Sequence, residues 1–147
     1  EMAKEFGLTH GLIGKPKDIT KGIQEILENE RADVVIETTG LPRVIEQAYD
    51  LTSPKGKTVL VGVPPKGDNI SIYSLPLHFK KTLSGSEGGG CHPHIDIPRY
   101  LKLLKVGKMS LDGLITDEFK LEDINEAIDL FRTGKSGRIL VNMQQDP

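Results

Sequence analysis

Several features that would assign a protein to a special class are nearly missing from this sequence. Among its 147 residues there is one cysteine, Cys91. A lone thiol closes no internal disulfide, so a reducing cytoplasm is the expected compartment. No apolar run approaches the ~20 residues of a membrane-spanning helix, and no membrane partner is expected. Charge of one sign is also lacking: 19 Lys and Arg face 21 Asp and Glu, for a net charge of −2. That balance argues against a dedicated nucleic-acid binder, which carries a basic excess. The opening Glu1–Gly7 lacks the basic-then-apolar pattern of a secretory signal. It also lacks a first methionine, so the chain is expected to begin partway through a longer protein. Neither an internal repeat nor a low-complexity tract occurs, which excludes collagen-like, coiled-coil and disordered descriptions of the whole chain.

What is present is an ordinary globular composition. Hydrophobic residues make up 37% and glycines number 16, and the length suits about one domain with a real core. Residues 1–6 read as the last turns of a helix, capped at Gly7. Thr9–Ile13 reads as a short strand, closed by Gly14 and Pro16. From Asp18 to Glu30, Ile19, Ile23, Ile26 and Leu27 recur at helical spacing. The β-branched run Ala32–Gly40 reads as a buried parallel strand. A helix from Pro42 to Leu51 follows, with proline in its first turn, where a missing N–H is harmless.

A turn over Ser53–Lys57 then leads into a second buried strand, Thr58–Val63. Ile70–Tyr73 alternates like a half-exposed strand, and Lys81–Ser86 is a third strand candidate running into Gly88-Gly89-Gly90. Amphipathic helices are expected over Ile97–Val106 and Leu121–Phe131, and a last strand over Arg138–Val141. Strands alternating with helices predict α/β architecture with a parallel sheet. In such sheets ligands bind beyond the carboxyl ends of the strands. Here those ends carry Thr38-Thr39-Gly40, Gly62-Val63-Pro64 and Gly85-Ser86, small residues that let a flat ring or phosphate approach the backbone.

The ordered set of these segments is more specific than any one of them. It comprises Lys4–Thr9, Val35-Ile36-Glu37-Thr38-Thr39-Gly40, Val61-Gly62-Val63-Pro64-Pro65, Gly85-Ser86-Glu87-Gly88-Gly89, Leu114-Ile115-Thr116, Ile124-Asn125-Glu126-Ala127 and Gly134-Lys135-Ser136-Gly137-Arg138. Together they resemble the zinc-dependent medium-chain alcohol dehydrogenases, in order and across essentially the whole chain. The part resembled is the later portion of the nicotinamide-cofactor domain plus the C-terminal segment that returns to it. The resemblance implies that residues 1–147 are a partial dinucleotide-binding domain with that segment, the catalytic domain being absent. The expected fold class is α/β, an incomplete doubly wound, Rossmann-type parallel sheet lacking its first two strands. Those two strands would lie between Thr9–Ile13 and Val34–Thr38.

Carried over by position, the resemblance implies a set of cofactor contacts. Thr38 and Thr39 fall on the adenine and ribose side. Val61, Gly62 and Val63 fall around the nicotinamide ring, with Val61 offering a carbonyl. Ser86 and Gly88 fall where backbone groups bond the carboxamide, and Arg138 where an arginine reaches the pyrophosphate. The implied cofactor is NAD or NADP, with zinc held by the missing catalytic domain. The glycine fingerprint that cradles the pyrophosphate is not in the sequence, nor is the Cys and His set that holds catalytic zinc. No catalytic or metal-ligating residue is therefore assigned within this chain, which alone is expected to be inactive.

The implied function is that of an oxidoreductase moving hydride between an alcohol and NAD(P), with an alcohol or aldehyde as small-molecule partner. The alternatives are a zinc-free quinone or enoyl reductase of the same superfamily, and a non-catalytic nucleotide-binding or dimerisation module. Ile70 and Ile72 point to one face and Ser71 and Tyr73 to the other, so Ile70–Tyr73 is expected to pair with its copy in a homodimer, as the resemblance also implies. Cys91-His92-Pro93-His94 with Asp96 has a metal-like composition but no second ligand pair. His10 and His78 read as packing or surface residues, and Glu37 as a partner in a salt bridge or backbone hydrogen bond. Lys55, Lys57, Lys80 and Lys81 read as solvated turn charges rather than a phosphate site.

Overall fold

In the computed structural model the described residues are 2–143, and they fall into two compact units, divided after Cys91. The first unit carries three parallel strands, β1 (Ala32–Glu37), β2 (Thr52–Leu60) and β3 (Thr82–Gly85), in the order β1-β2-β3. Two helices precede β1: α1 (Met2–Glu5), followed by Gly7 at φ 91°, and α2 (Pro16–Ile26). The expected helix at residues 1–6 is present over Met2–Glu5, and Glu1 lies outside the described residues.

Helix α3 (Pro42–Leu51) crosses from β1 to β2 and supplies the core. It begins with proline in its first turn and buries Ile45, Ala48 and Tyr49, which share one face at helical spacing. Burying an Ile and a Tyr of this size contributes about 1.5–3 kcal/mol each. The helix runs directly into β2. The Thr52 hydroxyl stands 2.8 Å from the Ala48 carbonyl and 2.7 Å from the Thr58 hydroxyl, so two fully buried polar side chains satisfy each other.

Four expectations need correction in this unit. Thr9–Ile13 forms no strand. No ladder partner stands beside it among the described residues, and Leu12 instead packs against Gly22 of α2 while Ile13 is fully exposed. The expected turn at Ser53–Lys57 lies inside β2. Ala32 pairs with Thr52 and Val34 with Lys57, so Ser53–Gly56 bulges out, and Gly56 approaches the Asp33 carbonyl where a Cβ would sit at 2.6 Å. Ile70–Tyr73 makes no ladder among the described residues, although Ile70 and Ile72 are half-buried and Ser71 and Tyr73 exposed, as the alternation predicts.

Lys81 is buried at 4% exposure rather than solvated. Its Nζ lies 4.1 Å from the centroid of the Tyr49 ring and donates to the Thr52 carbonyl at 2.8 Å. Burial and the neighbouring Arg31 lower its pKa, and Asp50 opposes them. Lys55, Lys57 and Lys80 are exposed, as expected.

The second unit contains α4 (Pro93–Lys105), β4 (Ile115–Lys120), α5 (Ile124–Arg132) and β5 (Arg138–Asn142). Strands β4 and β5 pair in parallel, with α5 as the crossover between them. The two helices and β5 fall where expected, and β4 is an element that the hydrophobic pattern does not announce. Within each unit the sheet is parallel, so the α/β class holds.

Candidate functional site at the carboxyl ends of the strands

Glu37 closes β1 and organises the turn beyond it. Its carbonyl accepts the Val61 N–H at 2.8 Å and the Gly62 N–H at 3.1 Å, which joins the loop after β1 to the loop after β2. Its carboxylate folds back on its own chain. Oε1 accepts the Thr39 N–H and the Thr39 hydroxyl, both at 2.5 Å, and the Gly40 N–H lies 3.1 Å from both carboxylate oxygens. The Thr39 oxygen in turn accepts the Leu41 N–H at 3.1 Å, just ahead of α3. Burial pushes the Glu37 carboxyl up, but the bonds from Thr39 and Gly40 outweigh it and hold the group below its ordinary range. Glu37 is thus an acceptor that fixes Thr38-Thr39-Gly40, the backbone hydrogen-bonding role expected of it.

Two glycines let the adjoining loops touch backbone to backbone. Gly40 sits at φ 72°, and a Cβ there would lie 2.7 Å from the carbonyl carbon and oxygen of Val63. Beside this contact Thr38, Thr39, Val61 and Val63 are exposed, with Val63 at 87%. Thr38 and Thr39 also border an open cavity of about 360 Å³ whose apolar walls include Ile19, Ile23, Val35 and Ile36.

The third strand end continues the same edge. The Ser86 N–H donates to the Leu60 carbonyl at 2.9 Å, and Gly89 N–H donates to the Ser86 carbonyl at 2.7 Å. From Glu87 to Gly90 every φ is positive, at 43°, 62°, 75° and 64°. No atom would lie within 4 Å of a Cβ on Gly88, Gly89 or Gly90, so these glycines serve the left-handed backbone and leave it open to approach.

Because the three strands are parallel neighbours, seven of the residues implied by the resemblance share one sheet edge: Thr38, Thr39, Val61, Gly62, Val63, Ser86 and Gly88. The eighth, Arg138, is exposed at the start of β5 in the second unit. Gly40 and Glu87 also belong to this edge, and sequence reasoning did not single them out as site residues. Their signal is slight, a glycine three residues after a buried glutamate and a glutamate ahead of three glycines.

His92 and His94 stand edge to face at the start of α4, with ring centroids 6.3 Å apart. No group of three or more His, Cys, Asp or Glu side chains is placed to hold a metal ion among the described residues.

Residues 1–106 match the family model described as zinc-binding dehydrogenase. The chain belongs to the zinc-binding dehydrogenase family. This zinc-binding dehydrogenase chain is 36% identical over 154 aligned positions to alcohol dehydrogenase-like 2 of Arabidopsis thaliana, covering 99% of the chain. It is 32% identical to alcohol dehydrogenase 2 of Zea mays, covering 98% of the chain. Its fold superposes on the crystal structure of benzyl alcohol dehydrogenase from Acinetobacter calcoaceticus with a TM-score of 0.86 at 28% identity, over 97% of this chain and 39% of that one. The chain spans 38% of the length of the two curated relatives.

Proposed function

We propose that the chain forms the later part of the nicotinamide-cofactor domain, with its C-terminal segment, of an oxidoreductase that moves hydride between an alcohol and NAD(P). The observation that carries this reading is the backbone contact of Gly40 with Val63, which leaves an open edge between exposed Thr38, Thr39, Val61 and Val63. An edge of this kind, with main chain accessible between two valines and two threonines, suits a flat ring with polar groups at its rim. Thr38 and Thr39 are assigned to the adenine and ribose side, Val61, Gly62 and Val63 to the nicotinamide ring, and Ser86 and Gly88 to its carboxamide. Arg138 is assigned to the pyrophosphate, as a charge-assisted donor.

Bound cofactor supplies the hydride acceptor, and the residues of this chain orient its ring and donate or accept hydrogen bonds at its edges. Zinc, which would polarise the alcohol oxygen, is assigned to a catalytic domain outside these residues. The reading assigns an alcohol or aldehyde as substrate and the cytoplasm as compartment, with neither nucleic acid nor membrane as partner. No helix among the described residues is long and apolar enough to cross a membrane.

The same reading includes a homodimer through Ile70–Tyr73. Glu46 and Tyr49, one helical turn apart on α3, both hold this segment. Glu46 Oε1 accepts the Ser71 N–H at 2.7 Å, and the Tyr49 hydroxyl donates to the Tyr73 carbonyl at 3.0 Å. In an extended chain, residues two apart turn their backbone groups to the same edge. Helix α3 thereby occupies the edge of Ser71 and Tyr73, and Ile70 and Ile72 turn to the other. An antiparallel pair on that edge sets Ile70 against Ile72 of a second copy, with Ser71 on the two-fold axis.

Titration of the isotopically labelled chain with NADH tests the cofactor assignment by amide shifts. Shifts are expected at Thr38–Gly40, Val61–Val63 and Ser86–Gly88, with a dissociation constant weaker than micromolar, because the pyrophosphate-cradling glycine turn is not in the sequence. No shifts at these positions up to millimolar NADH would overturn the assignment, and submicromolar affinity would overturn the view that much of the site lies elsewhere.

A further inference from the structure

A polar cluster at the start of β5 has no part in the contacts assigned above. Strands β4 and β5 pair Ile115 with Arg138 and Asp117 with Ile139, so Thr116 is the extra residue of a bulge opposite the Arg138–Ile139 step. Bulges of this kind re-aim neighbouring side chains. The bulge is cross-linked by three side chains. An ionised carboxylate can only accept, so both hydroxyls donate to Asp117 Oδ2, Thr116 at 2.6 Å and Ser136 at 2.6 Å. The two hydroxyl oxygens stand 2.9 Å apart. With its proton given to Asp117, the Thr116 oxygen accepts the Gly137 N–H at 2.9 Å.

The two residues immediately before Arg138 are therefore tied to the adjacent strand. The stretch from Thr133 to Gly137 contains two glycines, one of them Gly134 at φ 66°. The bonds of Thr133, Gly134 and Lys135 tie its first half back to the end of α5, and the bonds of Ser136 and Gly137 are the ones that reach β4. The carboxylate of Asp117 is engaged by hydroxyl donors, which hold its pKa below the ordinary range. Arg138 itself is exposed and makes no ion pair among the described residues.

We propose that Asp117, acting through Thr116 and Ser136, is a positioning residue that aims Arg138 at the phosphates of a nucleotide. This inference rests on the assignment of Arg138 to the pyrophosphate. A long, flexible arginine delivers directed hydrogen bonds to phosphate when the backbone that carries it is fixed.

The test is NADH affinity, read from amide shifts, for the unmodified chain and for Arg138→Gln, Asp117→Asn and the double variant. Thr116→Val and Thr116→Ser form a second pair that leaves the carboxylate in place. Arg138→Gln is expected to weaken NADH about tenfold, as loss of one charge-assisted contact would. Asp117→Asn and Thr116→Val are expected to weaken it several-fold, and Thr116→Ser to restore most of the affinity. In the Arg138→Gln background, Asp117→Asn is expected to cause no further loss, because it acts only through the arginine.

If Arg138→Gln weakens binding while Asp117→Asn and Thr116→Val do not, the positioning role is overturned and the Arg138 assignment stands. An equal loss from Asp117→Asn with and without Arg138 would mark a merely structural role and also overturn it. If Arg138→Gln changes nothing, or the unmodified chain does not bind NADH, the assignment and the inference fall together.

Discussion

A Cβ placed on Gly62 would stand 2.1 Å from the backbone nitrogen of Gly40. The loops that follow β1 and β2 therefore meet without side chains between them, and the contact is main chain against main chain. No rotamer change can relieve a clash with backbone, so the two glycines act as a pair.

Gly62→Ala is expected to lower the stability of the first unit by about 2–3 kcal/mol, at the upper end of overpacking effects. The Cβ of Gly40→Ala would meet Val63 backbone at a left-handed φ, so a loss of similar size is expected. Denaturant unfolding measures both. A stability within error of the unmodified chain would show that the loops separate without cost.

The hydrogen bonds to Glu37 carry a pH dependence whose sign is fixed. Its folded pKa lies below the ordinary 4.5, so the unfolded chain binds more protons between the two values. The stabilisation is complete above the ordinary value and is lost as pH falls through the folded one. Glu37→Gln is expected to cost about 1–3 kcal/mol at neutral pH, since it sets an amide against the donors of Thr39 and Gly40. The variant should also lose this contribution to acid sensitivity. Unfolding free energies measured from pH 7 downward test both, and parallel curves for the two proteins would contradict the account.

Glu87 is a non-glycine residue at φ 43°, ahead of three glycines that are all left-handed. Glu87→Gly is expected to stabilise the chain by roughly 0.5–1 kcal/mol, the relief of left-handed strain exceeding the entropy that glycine adds to the unfolded state. Thermal melts should show a higher midpoint. A lower one would mean that the Glu87 side chain makes a stabilising contact.

The pairing edge assigned to Ile70 and Ile72 makes proline substitutions position-dependent. Ile72→Pro removes the outward N–H and is expected to split the dimer while leaving β1, β2 and β3 intact. Ser71→Pro removes instead the N–H that Glu46 holds, and should loosen the segment from α3. Light scattering of the unmodified chain at high concentration decides the first point, since a monomer there would refute the dimer.

Much of the architecture was legible because the pattern is local. The β-branched Val34-Val35-Ile36 announces β1, and the helical spacing of Val44, Ile45, Ala48 and Leu51 announces the inner face of α3, of which the structure buries Ile45 and Ala48 and adds Tyr49. The strand ends Thr38-Thr39-Gly40, Gly62-Val63-Pro64 and Gly85-Ser86 stand out by their small residues, whereas Val61 and Gly88 are singled out only by the family resemblance. Other features depended on residues far apart in sequence. Strand β4, with Asp117, Glu118 and Lys120 among its six residues, has no strand-like composition and exists through its ladder with β5. Thr9–Ile13 has a strand-like composition but no ladder partner among the described residues, and forms no strand. Lys81 looks like a turn charge until Tyr49 and the Thr52 carbonyl, some thirty positions earlier, close around it. The sequence by itself determined which segments are apolar, extended or helical, since those properties come from neighbouring side chains and backbone preference. Only the tertiary structure decided which strands pair, which polar groups are buried and which glycines touch, because each depends on a partner that folding brings into place.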